Sequence, residues 1–82
     1  MGKIIDNDTR FLAELGRRIG KIRKERGITQ VELGFRIDME GPNVNRLEKG
    51  GTNPTILTLK KVCAALEVDL EDLLAGLGKH SE

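Results

Sequence analysis

Two short helical segments, joined through a short helix-breaking stretch, constrain this chain more than any other feature of its sequence. The first segment opens with Thr29 and Glu32, which have the spacing of a capping box, and is predicted to end near Ile37. The break, DMEGP at 38–42, holds a proline that a helix tolerates in its first turn but not in its interior. A second helix is therefore predicted from about Gly41 to Lys49. The stretch predicts two short helices that meet at a tight turn.

Apolar residues spaced three and four apart predict three further helices around this pair. Asp8 is the predicted cap of the first helix, Gly27 ends it, and Thr55 caps the fourth. The predicted spans of the three helices are 8–26, 55–66 and 70–75. No segment alternates with period two for long enough to form a strand. The sequence therefore predicts an all-α fold, a compact domain of five helices.

This single domain is predicted to have short extensions at both ends. The predicted parts are a flexible arm at 1–7, the domain at 8–76 with the helix pair at 29–49, and a frayed tail at 77–82. Because the chain has only two phenylalanines and no tyrosine or tryptophan, its core is expected to be aliphatic. The residues predicted to face inward are Phe11 or Leu12, Leu15, Ile19, Ile22, Leu33, Ile37, Val44, Leu47, Ile56, Leu59, Val62, Cys63, Leu66, Leu70 and Leu73.

Composition narrows the classes of function that remain open. The scarcity of aromatic residues argues against a binder of single-stranded nucleic acid, which stacks bases on aromatic side chains. A lone cysteine, Cys63, on an apolar stretch is interpreted as a core residue. No Cys/His cluster, nucleophile–base pair or phosphate loop is found, so we expect no metal, no cofactor and no enzymatic activity. No apolar run suits a membrane span and no signal peptide is recognised, which makes the cytoplasm the default location.

The charges of the chain are unevenly distributed although its net charge is only +1. Between Arg10 and Arg26 there are seven basic residues and two glutamates, whereas acidic residues prevail after Val62. Such polarity suggests that the domain approaches a polyanion in one orientation. Ordinary solvated helix faces would give the same pattern, and the charges alone leave both interpretations open.

The helix pair itself points to double-stranded DNA. In a helix-turn-helix, the second helix lies in the major groove and the first crosses the phosphate backbone. With Val44 and Leu47 facing inward, the opposite face of the second helix carries Asn43, Arg46 and either Asn45 or Lys49. Asparagine and arginine match the edges of adenine and guanine. Gln30, at the start of the first helix of the pair, is placed to grip a phosphate.

Four short runs resemble one known family. They are GITQVEL at 27–33, NVNRLEKG at 43–50, NP at 53–54 and ALEV at 65–68, and they resemble the Cro/C1-type (XRE, phage-repressor-like) helix-turn-helix proteins over about 15–74. The resemblance implies a lambda-repressor-like five-helix domain that binds double-stranded DNA, usually as a homodimer on a palindromic operator.

The resemblance also implies roles for individual positions. Those expected at the DNA are Thr29, Gln30, Glu40, Gly41, Pro42, Asn43, Asn45, Arg46, Lys49, Thr52 and Asn53. Arg23 and Glu48 fall where the family often has a partly buried ion pair. The chain departs from the pattern at Gly34, where alanine is usual, at Asp38, where glycine is usual, and at Glu40, which replaces a small hydroxyl cap. Gly41-Pro42 leaves two base-reading positions without polar side chains.

The leucine-rich C-terminal part suggests a dimer interface, since it holds more leucines than one small core needs. The residues predicted for it are Leu57, Leu70, Leu74 and Leu77. Leu74 and Leu77 are the better candidates, because Leu70 is more readily explained as part of the core. The function predicted is a sequence-specific DNA-binding transcriptional regulator, a homodimeric repressor or controller with no evident small-molecule effector. The alternative is a protein-interaction module of the antitoxin or antirepressor type, in which DNA binding is secondary.

Overall fold

Five helices, seen in a computed structural model that describes residues 6–79, form the fold. The helices are α1 Asn7–Glu25, α2 Gln30–Ile37, α3 Gly41–Glu48, α4 Ile56–Leu66 and α5 Leu70–Leu74. Residues 6–79 contain no strand, so the prediction of an all-α, five-helix fold is confirmed. None of these helices combines the length and the apolar character that crossing a membrane requires.

The first helix begins two residues earlier than predicted. Asp6, not Asp8, is its cap: the Asp6 Oδ1 atom accepts a hydrogen bond from the Thr9 backbone N–H at 2.7 Å. This bond holds the pKa of the Asp6 carboxyl below its usual value, because it stabilises the charged form. Of the predicted arm at 1–7, residues 1–5 lie outside the described residues, and the last two belong to the start of α1.

The predicted capping box at the start of α2 forms only in part. Thr29 Oγ1 accepts from the Glu32 backbone N–H at 3.0 Å, as a cap should. The Glu32 carboxylate does not reach back, however, but accepts from Arg36 at 2.9 Å. Arg36 lies one turn further along the same face and offers a charged donor. At the other end of α2, Asp38 takes the left-handed conformation (φ 58°) that glycine usually supplies.

The core is aliphatic and draws on all five helices. Its fully buried large side chains are Ile19, Leu33, Val44, Val62, Leu66 and Leu73. One predicted core residue is misplaced: Ile56 is 60% exposed. It occupies the first position of α4, one turn before Leu59, and the core does not extend that far.

Glycine allows the helices around α3 to come close together. Gly16 lies inside the first predicted helix, where glycine is unfavourable, and therefore predicts close packing of another helix. A Cβ atom at Gly16 of α1 would lie 2.5 Å from the backbone oxygen of Glu48 in α3, which confirms this prediction. Gly34 is explained in the same way. A methyl group there would overlap the carbonyl oxygen of Met39 in the α2–α3 turn, which accounts for glycine where the family has alanine.

The C-terminal segment is partly ordered against the core. Leu77, the first residue of the predicted frayed tail, is half-buried and packs on the core, and its N–H donates to the Leu74 carbonyl at 3.0 Å. Residues 80–82 of that tail lie outside the described residues. The domain therefore extends at least to Leu77.

Candidate nucleic-acid interface

The outer face of α3 presents polar side chains on a rigid support. Val44 and Leu47 are buried and fix the rotation of the helix, so Asn43 and Arg46 lie exposed on the other side. The Arg46 stem passes beside Gly51, whose added Cβ would come within 2.9 Å of it. The structure thus holds two side chains suited to base edges on one exposed face.

An ion pair joins α1 to α3 directly beneath this face. Arg23 Nε and Glu48 Oε2 are 2.6 Å apart, and the two side chains are only 9% and 10% exposed. A second bond runs from Arg23 Nη2 to Glu48 Oε1 at 3.1 Å, while Arg23 Nη1 donates to the Ile28 carbonyl at 2.8 Å. The guanidinium therefore ties together α1, the loop before α2 and the end of α3.

Gln30 belongs to the same hydrogen-bonded network. Its amide nitrogen donates to Glu48 Oε1 at 3.0 Å and to Asn45 Oδ1 at 3.2 Å. Both amide hydrogens are thus engaged, and the free Gln30 oxygen is an acceptor that does not complement a phosphate oxygen. The backbone N–H at the start of α2 remains the group of Gln30 suited to a phosphate. Asn45, whose oxygen is occupied, keeps its own N–H donors for a ligand.

The first two residues of α3, Gly41 and Pro42, carry no polar side chain. Glu40 caps the helix without a side-chain hydrogen bond. Gly41 lies beside Val31 of α2, since an added Cβ at Gly41 would be 3.3 Å from Val31 Cγ2. Pro42 is exposed. This end of the helix offers small apolar groups where other reading helices offer amides.

The remaining predicted DNA-contact residues lie around α3. Thr29 is exposed at the cap of α2, Lys49 is exposed at the end of α3, and Thr52 is half-buried in the following loop. Asn53, in the same loop, lines a shallow pocket with Asp8, Phe11 and Leu12 of α1. The Asp8 carboxylate lines the same pocket, which makes Asn53 a less favourable phosphate contact than Thr29, Lys49 or Thr52.

The basic residues between Arg10 and Arg26 are of two kinds, which the sequence did not reveal. Some form hydrogen bonds within the fold, and others are exposed on the surface. Arg18 donates to the carbonyls of Leu73 and Ala75 at 3.0 and 2.9 Å. Arg26 donates to the Leu66 carbonyl at 2.7 Å. Together they satisfy carbonyls at the C-terminal ends of α5 and α4, which carry partial negative charge. With Arg23 in the ion pair, these arginines hold the fold together instead of facing a partner.

The predicted dimer residues differ in how much apolar surface they leave uncovered. Leu57 is 64% exposed on α4, next to the exposed Ile56. Leu70, Leu74 and Leu77 are half-buried and pack against the core. Of the four, Leu57 offers the most surface to a partner.

Cys63 is a core residue, as its apolar setting predicted. Burial raises the pKa of its thiol, and the negative charge of Asp69 raises it further, so the reactive thiolate is disfavoured. No group of three or more metal-ligating side chains is found in the part of the chain that the structure describes.

Two other apolar side chains lie on the surface and were not anticipated. Phe35 is 86% exposed and Val31 is 71% exposed, one turn apart on α2. The sequence shows that the two residues are four positions apart, but it does not indicate whether Phe35 faces the core or the solvent.

Comparison with known proteins agrees with this geometry. Residues 14–73 match the helix-turn-helix family HTH_3. An uncharacterized HTH-type transcriptional regulator, y4dJ, from Sinorhizobium fredii is 33% identical over 60 residues, which cover 73% of this chain and 78% of that protein. The immunity repressor protein of Bacillus phage phi105 is also 33% identical over 60 residues, or 73% of this chain and 42% of the repressor.

The fold is also similar to that of a solved structure. The restriction-modification controller protein C.AhdI from Aeromonas hydrophila superimposes with a TM-score of 0.76 at 25% identity, over 79% of this chain and 94% of that one. The resemblance to Cro/C1-type proteins and the lambda-repressor-like fold are thereby confirmed. These relatives are regulators and not enzymes, in agreement with the prediction of no enzymatic activity.

Proposed function

The chain belongs to the HTH_3 helix-turn-helix family of DNA-binding transcriptional regulators, and we propose that it acts as a homodimeric repressor or controller on a palindromic operator. The observation that carries this proposal is the exposed face of α3, where Asn43 and Arg46 stand opposite the buried Val44 and Leu47. An operator is bound in the cytoplasm, where we place the protein.

Base reading is divided between the two halves of α3. Arg46 pairs with the N7 and O6 atoms of a guanine, and Asn43 with an adenine edge. The apolar start of α3, formed by Gly41 and Pro42 with Val31 of α2 beside Gly41, suits the methyl group of thymine. The proposal therefore includes thymine at the positions that face Gly41 and Pro42.

Selection from a random pool of duplexes tests this function. We expect a palindromic site with half-sites about one helical turn apart, as two copies related by a twofold axis require. Titration of that site at several salt concentrations should show a steep loss of affinity as salt rises, since phosphate contacts release counterions. Absence of binding at low salt would overturn the proposal.

Arg46→Ala should weaken binding to the selected operator by about 1–3 kcal/mol, or roughly 5- to 150-fold in Kd. The variant should lose base preference at only one position per half-site, because only the guanine at that position loses its partner. Electrophoretic titration of operators substituted at each position measures it. The exposed Lys60→Ala on α4 is the control and should bind like the unmodified protein. Equal weakening on every sequence would place Arg46 at a phosphate and contradict base reading.

We propose that the homodimer forms through the start of α4. Leu57 and Ile56 are neighbouring apolar side chains, each about three-fifths exposed, whereas the other predicted interface leucines already pack on the core. In a twofold dimer both copies of Ile56 and of Leu57 lie in the interface.

Leu57→Ser should raise the dissociation constant of the dimer about 5- to 150-fold, by removing a central apolar contact. The fold should be stable to within about 0.5 kcal/mol, because the side chain is exposed in the single chain. Sedimentation equilibrium over a range of protein concentrations measures the change. Phe35→Ser removes a more exposed apolar group, from α2, and should leave the dimer intact. Dissociation by Phe35→Ser, and not by Leu57→Ser, would move the interface to α2.

One observation favours the alternative of a protein-interaction module. Phe35 exposes apolar surface on α2 that neither α3 nor the proposed dimer covers. The salt titration bears on this alternative, in which DNA binding is secondary, because an absence of duplex binding at low salt would favour it over the regulator.

A further inference from the structure

A groove between α1 and α3 has basic walls. At its floor Gly16 and Gly20 let α1 lie against the end of α3, because a Cβ at Gly16 would meet the Glu48 backbone and one at Gly20 would meet the Glu48 carboxylate. The groove measures about 560 Å³, many times the roughly 30 Å³ that a water molecule occupies in the liquid. We name it the α1–α3 groove, and the side chains that set its charge are Arg17, Lys21, Lys24, Lys49, Arg23 and Glu48.

Four cations of this groove are unpaired within residues 6–79. The ion pairs found there join Arg23 to Glu48 and Arg36 to Glu32. Neither pair includes the three α1 cations, Arg17, Lys21 and Lys24, or Lys49 on the opposite wall. Residues 17, 21 and 24 are spaced four and three apart and share one side of the helix. The groove therefore has a positive potential along its length.

The acidic residues near the groove do not cancel this charge. Glu48 lies at the floor, but Arg23 neutralises it and Gln30 donates to it. Glu14 lines a neighbouring pocket together with Arg17 and Lys21, between α1 and the segment after α5, and it is one carboxylate against the four cations of the groove. Glu25, at the end of α1, is exposed and does not line the groove.

The groove is continuous with the reading face of α3. Gln30, Asn45 and Lys49 line it, and all three are among the residues expected at the DNA. The Asn45 oxygen accepts from Gln30, so the Asn45 amide has donors for an anion. A polyanion seated on α3 would thus pass over the α1 cations.

We propose that the α1–α3 groove binds a phosphodiester group of the duplex backbone, flanking the bases that α3 reads. This assigns a DNA-contacting role to α1, through Arg17, Lys21 and Lys24, in addition to α2, α3 and the loop after α3. The inference rests on the proposed function, because the phosphate comes from the bound operator. The contact contributes affinity and not sequence preference, since every nucleotide carries the same phosphate.

The test compares two triple variants with the same net charge. In R17Q/K21Q/K24Q the groove loses its α1 wall, and in the control K60Q/K61Q/K79Q three exposed lysines elsewhere are neutralised. We expect the groove variant to bind the selected operator and its sequence variants more weakly by the same factor. The slope of log affinity against log salt concentration should be smaller in magnitude by about one to two. The control should retain the slope of the unmodified protein. Circular dichroism should show both variants folded, since all six side chains are exposed.

Neutral backbone substitutions locate the phosphate. A methylphosphonate scanned along the operator should reveal a position in each half-site that weakens the unmodified protein at least fivefold and leaves the groove variant unaffected. If the unmodified protein fails to bind duplexes at all, the proposed function itself fails. If it binds, but the groove variant keeps the salt slope and the methylphosphonate pattern of the unmodified protein, only the groove assignment is overturned. An equal loss in both triple variants overturns it as well.

Discussion

Replacement of Arg23 by alanine will lower the free energy of unfolding by about 3–5 kcal/mol, the usual cost of breaking a buried ion pair by removing one partner. Glu48, 10% exposed, would retain a charge with no counterion, and the Ile28 carbonyl would lose the donor now 2.8 Å away. A chain of 82 residues has a total stability on the order of 4–12 kcal/mol. Urea unfolding followed by circular dichroism should therefore show a variant close to the limit of folding.

Two controls separate the ion pair from other effects of the substitution. Arg17→Ala removes an exposed cation from the same helix and should change stability by less than about 0.5 kcal/mol. The double variant R23M/E48M replaces both charges with apolar groups and should recover most of the lost stability, since no charge remains buried alone. A loss below about 1 kcal/mol for Arg23→Ala, with an unchanged denaturant slope, would mean that Glu48 finds water or another donor.

The same substitution is expected to weaken DNA binding even where the protein remains folded. Glu48 accepts from both Arg23 and Gln30, and Gln30 in turn donates to Asn45. Loss of Arg23 would release Glu48 and let this network rearrange on the face where we place the phosphate backbone. The same side chains are therefore expected to contribute both to the stability of the fold and to DNA recognition.

Local signals made much of the fold predictable from sequence. The start of α2 follows from Thr29, its end from Asp38, and the start of α3 from Gly41-Pro42, because caps and proline act through neighbouring backbone atoms. Capping alone could not choose between Asp6 and Asp8, since both precede the same apolar stripe. The close approach of α1 and α3 was visible in Gly16, whose cost within a helix demands a packing reason.

What the sequence could not predict depends on contacts between distant segments. The Leu73 and Leu66 carbonyls that Arg18 and Arg26 satisfy lie 55 and 40 positions away along the chain, and no periodicity encodes them. The exposure of Ile56 depends on where the core ends, not on the helical pattern. For Gln30, the sequence indicated a DNA-facing position, but only the structure shows its amide engaged by Asn45 and Glu48. The division of the α1 cations into structural and free groups has the same origin.

Gly50→Ala is expected to cost about 2–5 kcal/mol of folding free energy. Gly50 ends α3 with φ 78°, a left-handed conformation that costs a residue with a Cβ about 1–2 kcal/mol. The new methyl would also lie 2.7 Å from the Cα atom of Ala13 and 2.9 Å from its nitrogen. Both belong to the backbone of α1, which cannot turn aside as a side chain can, and such crowding typically adds about 1–3 kcal/mol. Urea unfolding at neutral pH measures the sum.

Gly27→Ala separates the two contributions to that cost. Gly27 has nearly the same conformation, φ 71°, but no atom lies within 4 Å of its added Cβ. Its substitution should therefore cost only the conformational part, about 1–2 kcal/mol. The additional loss of folding free energy at Gly50 measures the crowding between the end of α3 and α1. The new methyl group should also displace α3 and reduce operator binding. Equal losses at the two glycines would show that α1 yields to the methyl group, and that Gly50 sets the end of the reading helix through its backbone conformation alone.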